Sequence, residues 1–409
     1  MNNKEIILKY LKENAYLMCR KATGVLKYDF LDPGANYGGT LWDWDSCYSA
    51  EALIELTEKL KGLDGFDYEE KKAKVISCAK GSVLNFLDWQ QEDGYIPVCL
   101  YSAGRDVYFL TERHRQGLKN NQVKPIICQS IENVSEYCGD YTWFDLDKVK
   151  KYFEYYFLSQ FDERSGLFVW QNDLMVGVDN NPTVFYRSQK SSADIFLNSL
   201  MAKELECFVN ILNKLGKTDE AEVFDERRLD LCNSLNLNCF DWRDGIYYSQ
   251  DVQIDRTMEE LGFHVNAPIN YYGLPLKIRL WAGLLPLFAG VPNEEKAKAL
   301  VKNIEDEDMF CEFGIRSLAR NEKMYNEQPT NNPSNWQGPV WIIANYLIAK
   351  GFARYGYKKE ADYIFSKTVE LLANSIIESE GMYESYTASG EPMLFKGFLS
   401  WNCLAVKMI

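Results

Sequence analysis

Val340-Trp341-Ile342-Ile343-Ala344-Asn345-Tyr346-Leu347-Ile348-Ala349 is an almost unbroken apolar run, interrupted only by Asn345. A helix of this composition has no polar side to give to water and must be enclosed all round. The next helical pattern, over 358–378, differs. It carries a single apolar face of Ala361, Ile364, Phe365, Thr368, Leu371 and Leu372, with charges elsewhere. The same contrast recurs between 274–291 and 293–303. In each pair the apolar helix follows a long loop and the one-faced helix follows a short turn, as expected of an inner element and its outer cover.

Working outward from this pair, helical periodicity is read over 4–21, 44–60, 69–90, 117–137, 146–161, 191–214, 218–237, 275–289, 293–303, 339–354 and 358–378, with a last helix ending at Met408. Short turns at Gly62/Gly65, Gly139, Gly216, Gly290-Val291-Pro292 and Gly356 alternate with long loops at 23–41, 91–115, 166–189, 240–274, 305–337 and 379–396. The pair spacing, roughly 60 to 85 residues, is too irregular for a helical solenoid. No strand-rich region and no domain linker is evident. About twelve helices in six hairpins point to an all-α, closed (α/α)6 barrel. It is read as a single domain over 1–409 with the long loops gathered at one end.

The chain of 409 residues has a formal charge of −14, which argues against nucleic acid and an anionic membrane surface as partners. Its eleven cysteines are odd in number and lack a CxxC pair, so reduced thiols and a cytoplasmic setting are expected. No apolar run approaches membrane-spanning length. With two histidines, His114 and His264, neither in a nucleophile motif, a multi-histidine metal site is excluded and carboxylates are left to do the proton chemistry. No cofactor or metal is implied. The 22 Phe, 26 Tyr and 10 Trp supply flat faces with polar rims, suited to core packing and to carbohydrate alike.

Four loops concentrate such residues. Leu41-Trp42-Asp43-Trp44-Asp45-Ser46 alternates aromatic plates with carboxylates at a helix start. That pattern serves a sugar ring or an ordinary N-cap equally well. Gly177-Val178-Asp179-Asn180-Asn181-Pro182 places Asp179 in irregular backbone near Trp170, Phe185 and Tyr186. Poor solvation there would raise its pKa, although an Asx-turn accounts for the same residues. Asn331-Asn332-Pro333-Ser334-Asn335-Trp336-Gln337-Gly338-Pro339-Val340-Trp341 leads into the apolar helix and leaves Trp336 and Gln337 at the barrel mouth. Tyr383-Glu384-Ser385-Tyr386 offers a second carboxylate, or a structural acid, between two tyrosines.

Taken in order, these segments resemble the (α/α)6-barrel glycosidases of glycoside hydrolase families 63 and 37, which include α-glucosidases, trehalases and glucosylglycerate and mannosylglycerate hydrolases. Trp42-Asp43-Trp44-Asp45 is similar to the N-terminal sugar-site motif, Gly177-Val178-Asp179-Asn180 to the general-acid segment, and Tyr383-Glu384-Ser385-Tyr386 to the general-base segment. Ser334 to Trp341 is similar to the Asn-Trp-Arg-Gly-Pro-Val-Trp signature, with Gln337 standing where arginine is usual. Leu285-Pro286-Leu287-Phe288-Ala289-Gly290 and Gly314-Ile315-Arg316-Ser317-Leu318 also match. Asp173-Leu174-Met175-Val176 departs from the polar approach common in relatives.

The resemblance implies inverting hydrolysis of a small α-glucoside or α-mannoside such as glucosylglycerate or mannosylglycerate. Asp179 would be the acid and Glu384 the base. Trp42, Asp43, Trp44, Asn180, Trp336, Gln337, Tyr383 and Tyr386 would hold the sugar. A neutral disaccharide or short glucan is the nearest alternative substrate, an inverting phosphorylase the nearest alternative enzyme, and an inactive sugar-binding protein the alternative of another kind. An acidic aglycone requires local cations, and Arg105, Arg113, His114, Arg115, Arg187 and Lys190 in the second and third long loops are the candidates.

Overall fold

The computed structural model describes residues 2–254, 261–262, 271–328 and 334–409. Six inner elements pack side to side in a closed cycle. In order they are Asp43–Lys59, Ile127–Cys138, Ile195–Lys214, the segment Trp281–Leu284 with Pro286–Ala289, Ile342–Arg354, and Ser400–Lys407, which returns to the first. Outer helices cover them, among them Tyr68–Asp88, Thr218–Asn238 and Lys358–Ser379, while the N-terminal helix Asn3–Asn14 lies beside both Lys358–Ser379 and Ser400–Lys407. The architecture is the (α/α)6 barrel.

The inner–outer contrast read from 340–349 holds. Every residue from Val340 to Ala349 is buried, whereas Lys358–Ser379 buries one face that includes Ala361, Ile364, Thr368, Leu371 and Leu372. Several helices begin on side-chain caps: Asn2 with Glu5 in a capping box, Asp67 on Glu70, Asp145 on Asp147 and Lys148, Asp194 on Phe196 and Leu197, and Asn293 on Lys296. Asp43–Lys59 and Ile342–Arg354 start from Trp42 and Trp341 with no side-chain cap.

Five expected elements differ. The helix expected over 117–137 begins only at Ile127, because Pro125 supplies no amide hydrogen and its ring crowds a preceding turn. The loop expected over 91–115 contains the helix Arg105–Arg115, masked in the sequence by a charged surface around the few buried residues Val107, Leu110 and Thr111. The helix expected over 275–289 is reduced to a 3-10 turn and a single α turn starting at Pro286, and the last inner element is 3-10. The N-terminal helix stops at Asn14 rather than near 21. The long loops are also stitched by small antiparallel ladders. Two matter most for the site: Thr40–Trp42 with Cys99–Tyr101, and Tyr383–Tyr386 with Pro392–Lys396.

No helix among the described residues is long and apolar enough to cross a membrane. All eleven cysteines are free.

Candidate active site

Four of the long loops, 23–41, 166–189, 305–337 and 379–396, meet over a cavity of about 280 Å³ whose wall includes Asp179, Glu384, Asp45 and Asp173. Five tryptophans, Trp42, Trp44, Trp336, Trp341 and Trp401, line the same space with Tyr37 and Phe398. The indole N–H groups of Trp42 and Trp401 find no acceptor among the described residues, leaving two donors at an aromatic wall.

Glu384 sits in the hairpin strand Tyr383–Tyr386 at a register shift between Tyr383 and Ser385, a bulge of the kind that re-aims a side chain. Tyr37 donates its hydroxyl to the carboxylate, 3.0 Å from both Oε1 and Oε2. Burial pushes the Glu384 pKa up to about 8, aided by the negative charges of Asp45 and Asp179 and opposed by the Tyr37 hydrogen bond. Asp45 accepts from the Ser400 hydroxyl at 2.8 Å. Burial pushes its pKa up to about 7, with Asp43 adding to the rise and Ser400 and Lys124 resisting it. Burial and the charge of Glu384 likewise raise Tyr37, so its proton stays on the phenol.

The loop carrying Asp179 is held from two sides. Gly177 adopts φ +84°, and a Cβ there would lie 2.3 Å from Cε of Lys124, so the backbone rests directly on that side chain. Asn180, itself at φ +47°, accepts the Trp336 amide on Oδ1 at 2.8 Å and donates Nδ2 to Asn335 Oδ1 at 3.0 Å. Gln337 donates Nε2 to the Asn180 carbonyl at 3.0 Å. Trp336 stacks on Trp341 with centroids 4.0 Å apart and planes 5° apart, which fixes the tryptophan wall.

These contacts correct several expected roles. Asp43 is not on the cavity. It is fully buried, with both oxygens engaged by Lys124 Nζ at 2.9 and 3.0 Å and further bonds from the Lys124 and Trp44 amides. Asp45, two positions on, takes the wall position instead. Asn180 and Gln337 bind each other's loops rather than lining the cavity. Tyr386 is buried in the core, where its hydroxyl donates to Ser375 and receives the Tyr383 amide. Tyr383 does not line the cavity either. Trp42, Trp44, Trp336, Asp179 and Glu384 are brought together as expected.

None of the six candidate cations lines the cavity. Arg187 pairs with Asp251, His114 with Asp93 at 2.8 Å, Arg113 bonds Asn120 and Arg115 bonds Gln91. Arg105 and Lys190 are exposed. Asn331, Asn332, Pro333 and His264 lie outside the described residues.

Tyr37, Lys124 and Trp401 were not singled out by sequence reading. Lys124 had a signal: a lone charge inside the apolar stretch Val123-Lys124-Pro125-Ile126-Ile127 demands a buried partner. Tyr37 and Trp401 had none, because only the closure of the ring brings the first loop and the last inner element together.

Residues 83–391 match the model of the mannosylglycerate hydrolase MGH1-like glycoside hydrolase domain. The chain belongs to this glycoside hydrolase family. Mannosylglycerate hydrolase MGH1 of Selaginella moellendorffii is 32% identical over 127 residues, covering 30% of the chain and 24% of that protein. A mannosylglycerate hydrolase of Thermus thermophilus is 30% identical over 145 residues, 35% of the chain and 32% of that protein. The mannosyl-oligosaccharide glucosidase GCS1 of Arabidopsis thaliana is 22% identical over 299 residues, 65% of the chain and 35% of that protein. The matched segments thus span only about a quarter to a third of these relatives' lengths. The crystal structure of a family 63 mannosylglycerate hydrolase from Thermus thermophilus in complex with glucose superposes with a TM-score of 0.69 at 19% identity, covering 99% of both chains. That likeness establishes the shared barrel.

Proposed function

We propose that the chain, as one catalytic domain, hydrolyses a small α-glucoside or α-mannoside with inversion of the anomeric centre. The observation that carries this reading is the placement of Asp179 and Glu384 on one cavity walled by five tryptophans. Tryptophan faces stack on the apolar faces of a sugar ring, and carboxylates perform the proton transfers. The cavity, about 280 Å³, lies at the lower bound of small-molecule sites, roughly 300 Å³. That size fits a small glycoside better than a long glycan enclosed along its length.

In the mechanism, Asp179 protonates the glycosidic oxygen while Glu384 takes a proton from a water attacking the opposite face of the sugar. Inverting enzymes separate the two carboxyls by roughly 6.5–9.5 Å to admit that water. Tyr37 orients Glu384 by sharing one hydroxyl proton between both carboxylate oxygens. The base must be ionised, so kcat/KM rises with pH toward the Glu384 pKa of about 8. That same pKa favours a second reading with the roles exchanged. A Glu384 acid would instead make activity fall as pH passes about 8.

The test is release of reducing sugar from a panel of α-glucosides and α-mannosides in phosphate-free buffer. Hydrolysis without phosphate is the expected result. Cleavage that depends on phosphate would identify a phosphorylase, and binding without cleavage an inactive sugar-binding protein. Free thiols at all eleven cysteines support a reducing, cytoplasmic setting.

A further inference from the structure

Lys124 is the one cation on the cavity wall among the described residues, and its side chain is only 1% exposed. It is pinned at both ends by the same carboxylate. The main-chain amide donates to Oδ2 of Asp43 at 2.8 Å, and the ammonium group returns to Oδ1 and Oδ2 at 2.9 and 3.0 Å. The Lys124 carbonyl receives the Ile126 amide at 2.7 Å and the Tyr152 hydroxyl at 3.3 Å. The methylene stem between these anchors keeps one path, with little rotamer freedom left. Asp43 is itself fixed: it heads the inner helix Asp43–Lys59, is fully buried and also accepts the Trp44 amide at 2.8 Å.

The loop carrying Asp179 stands on that fixed stem. At Gly177, which precedes Val178 and Asp179, a Cβ would lie 2.3 Å from Cε and 2.9 Å from Nζ of Lys124. On the other flank Asn180 accepts the Trp336 amide and its carbonyl accepts Gln337. Asp179 thus sits between a support on Lys124 and a tether to the 305–337 loop. Stability alone does not explain an ion pair at this place, since packed apolar side chains of similar volume often serve a core as well or better. The pair adds geometry. It ties the height of the Asp179 loop to Trp42, Trp44 and Asp45, the cavity-wall residues around Asp43, and the ammonium lies 5.5 Å from the centroid of the Trp44 ring.

We propose that Lys124, locked by Asp43, is the positioning residue for Asp179 and sets the height from which that carboxyl reaches the glycosidic oxygen. This rests on the reading of Asp179 as the general acid. Lys124 acts through Gly177 and the loop backbone rather than on the substrate. Such a role has a selective signature. A misplaced acid slows the departure of a leaving group that must be protonated, and a displacement of about 1 Å is enough for roughly a hundredfold loss. Fluoride leaves as the anion of a far stronger acid than a sugar hydroxyl and needs little protonation, so its departure is spared.

The experiment compares turnover of the best-cleaved α-glucoside or α-mannoside of the panel with turnover of the α-fluoride of the same sugar. Lys124→Met keeps the stem and removes the ammonium. Lys124→Met combined with Asp43→Asn removes the pair without leaving a buried charge, and Gly177→Ala crowds the contact from the loop side. These two cover the case in which Asp43, left without its cation, keeps Lys124→Met from folding, as circular dichroism would show. In the folded variants turnover of the glycoside should fall at least about tenfold and that of the fluoride less than about threefold. Asp179→Asn, the reference, should show the same preference more strongly. A loss equal on both substrates, or none on the glycoside, overturns the proposal. If Asp179→Asn itself loses both equally, the acid assignment fails and the positioning role with it; absence of sugar release from the whole panel would be the separate failure of the hydrolase reading.

Discussion

Asp45 and Glu51 belong to the same inner helix, Asp43–Lys59, yet the protein treats their carboxylates in opposite ways. Glu51, on the side away from the mouth, receives the Tyr346 hydroxyl at 2.6 Å and the ammonium groups of Lys350 at 3.0 Å and Lys407 at 3.3 Å. Burial pushes its pKa up, but the two lysines and Tyr346 outweigh burial and hold it down at about 2. Asp45 has the Ser400 hydroxyl and a view of the cavity, and its pKa rises to about 7. Glu384 joins it at about 8. Glu51 is compensated by two ammonium groups. Asp45 and Glu384 have only hydroxyl partners and neighbouring carboxylates, and raised carboxylates gathered on one cavity mark where chemistry is expected.

The sharpest way to test this contrast is to neutralise carboxylates at the mouth. Asp179→Asn and Glu384→Gln should each lower turnover by at least about a hundredfold, the usual scale for an acid or base, with the circular dichroism spectrum unchanged. Activity within a few-fold of the parent would remove the assigned role from that residue.

At the opposite end the effect should fall on stability instead. Glu51→Ala leaves Lys350 and Lys407 without their shared partner and should cost about 2 kcal/mol in urea unfolding, less than a fully buried pair because both lysines are partly exposed. Activity per folded molecule should be unaffected. The sign with pH follows from the depressed pKa. The Glu51 contribution is present above the unfolded value, about 4.3, and is lost as pH falls toward about 2.

Glu384 should show the reverse. Its folded pKa of about 8 lies above the unfolded value of about 4.3. Its contribution is therefore fully present below about 4.3 and lost as pH rises through about 8. Glu384→Gln should accordingly be more stable than the wild type at pH 9, by a few kcal/mol, with the advantage fading toward pH 4. No gain at pH 9 would mean that the protein does compensate this charge.

The smallest effect is expected from Tyr37→Phe. Removing the hydrogen bond that favours ionised Glu384 should move the acid limb of kcat/KM upward by about half a pH unit. A shift of the alkaline limb instead would support exchanged roles for Glu384 and Asp179.

The same contrast explains what sequence alone could reveal. The enclosed run 340–349 and the one-faced 358–378 made the ring legible, because burial on all sides and on one side leave different periodicities. Asp179, Glu384 and Trp336, which share the cavity wall, could be picked out as candidates because each lies in a local motif. Asp43 was misplaced because Trp42-Asp43-Trp44-Asp45 has two carboxylates in equivalent company, and only Lys124, 81 residues away, decides which one is buried. Tyr37 could not be found, since its partner Glu384 lies 347 residues away and is reached only when the ring closes. The 3-10 form of Ser400–Lys407 was equally hidden, its composition being that of an ordinary apolar helix.

Single-displacement hydrolysis by two carboxylates at the mouth, as proposed, fixes the anomer that is released first. Proton NMR of the first sugar released from a neutral α-glucoside or α-mannoside tests it most directly. The β-anomer should appear first and then mutarotate toward equilibrium. Initial release of the α-anomer would mean retention and would contradict the assignment of Glu384 as the base that activates water.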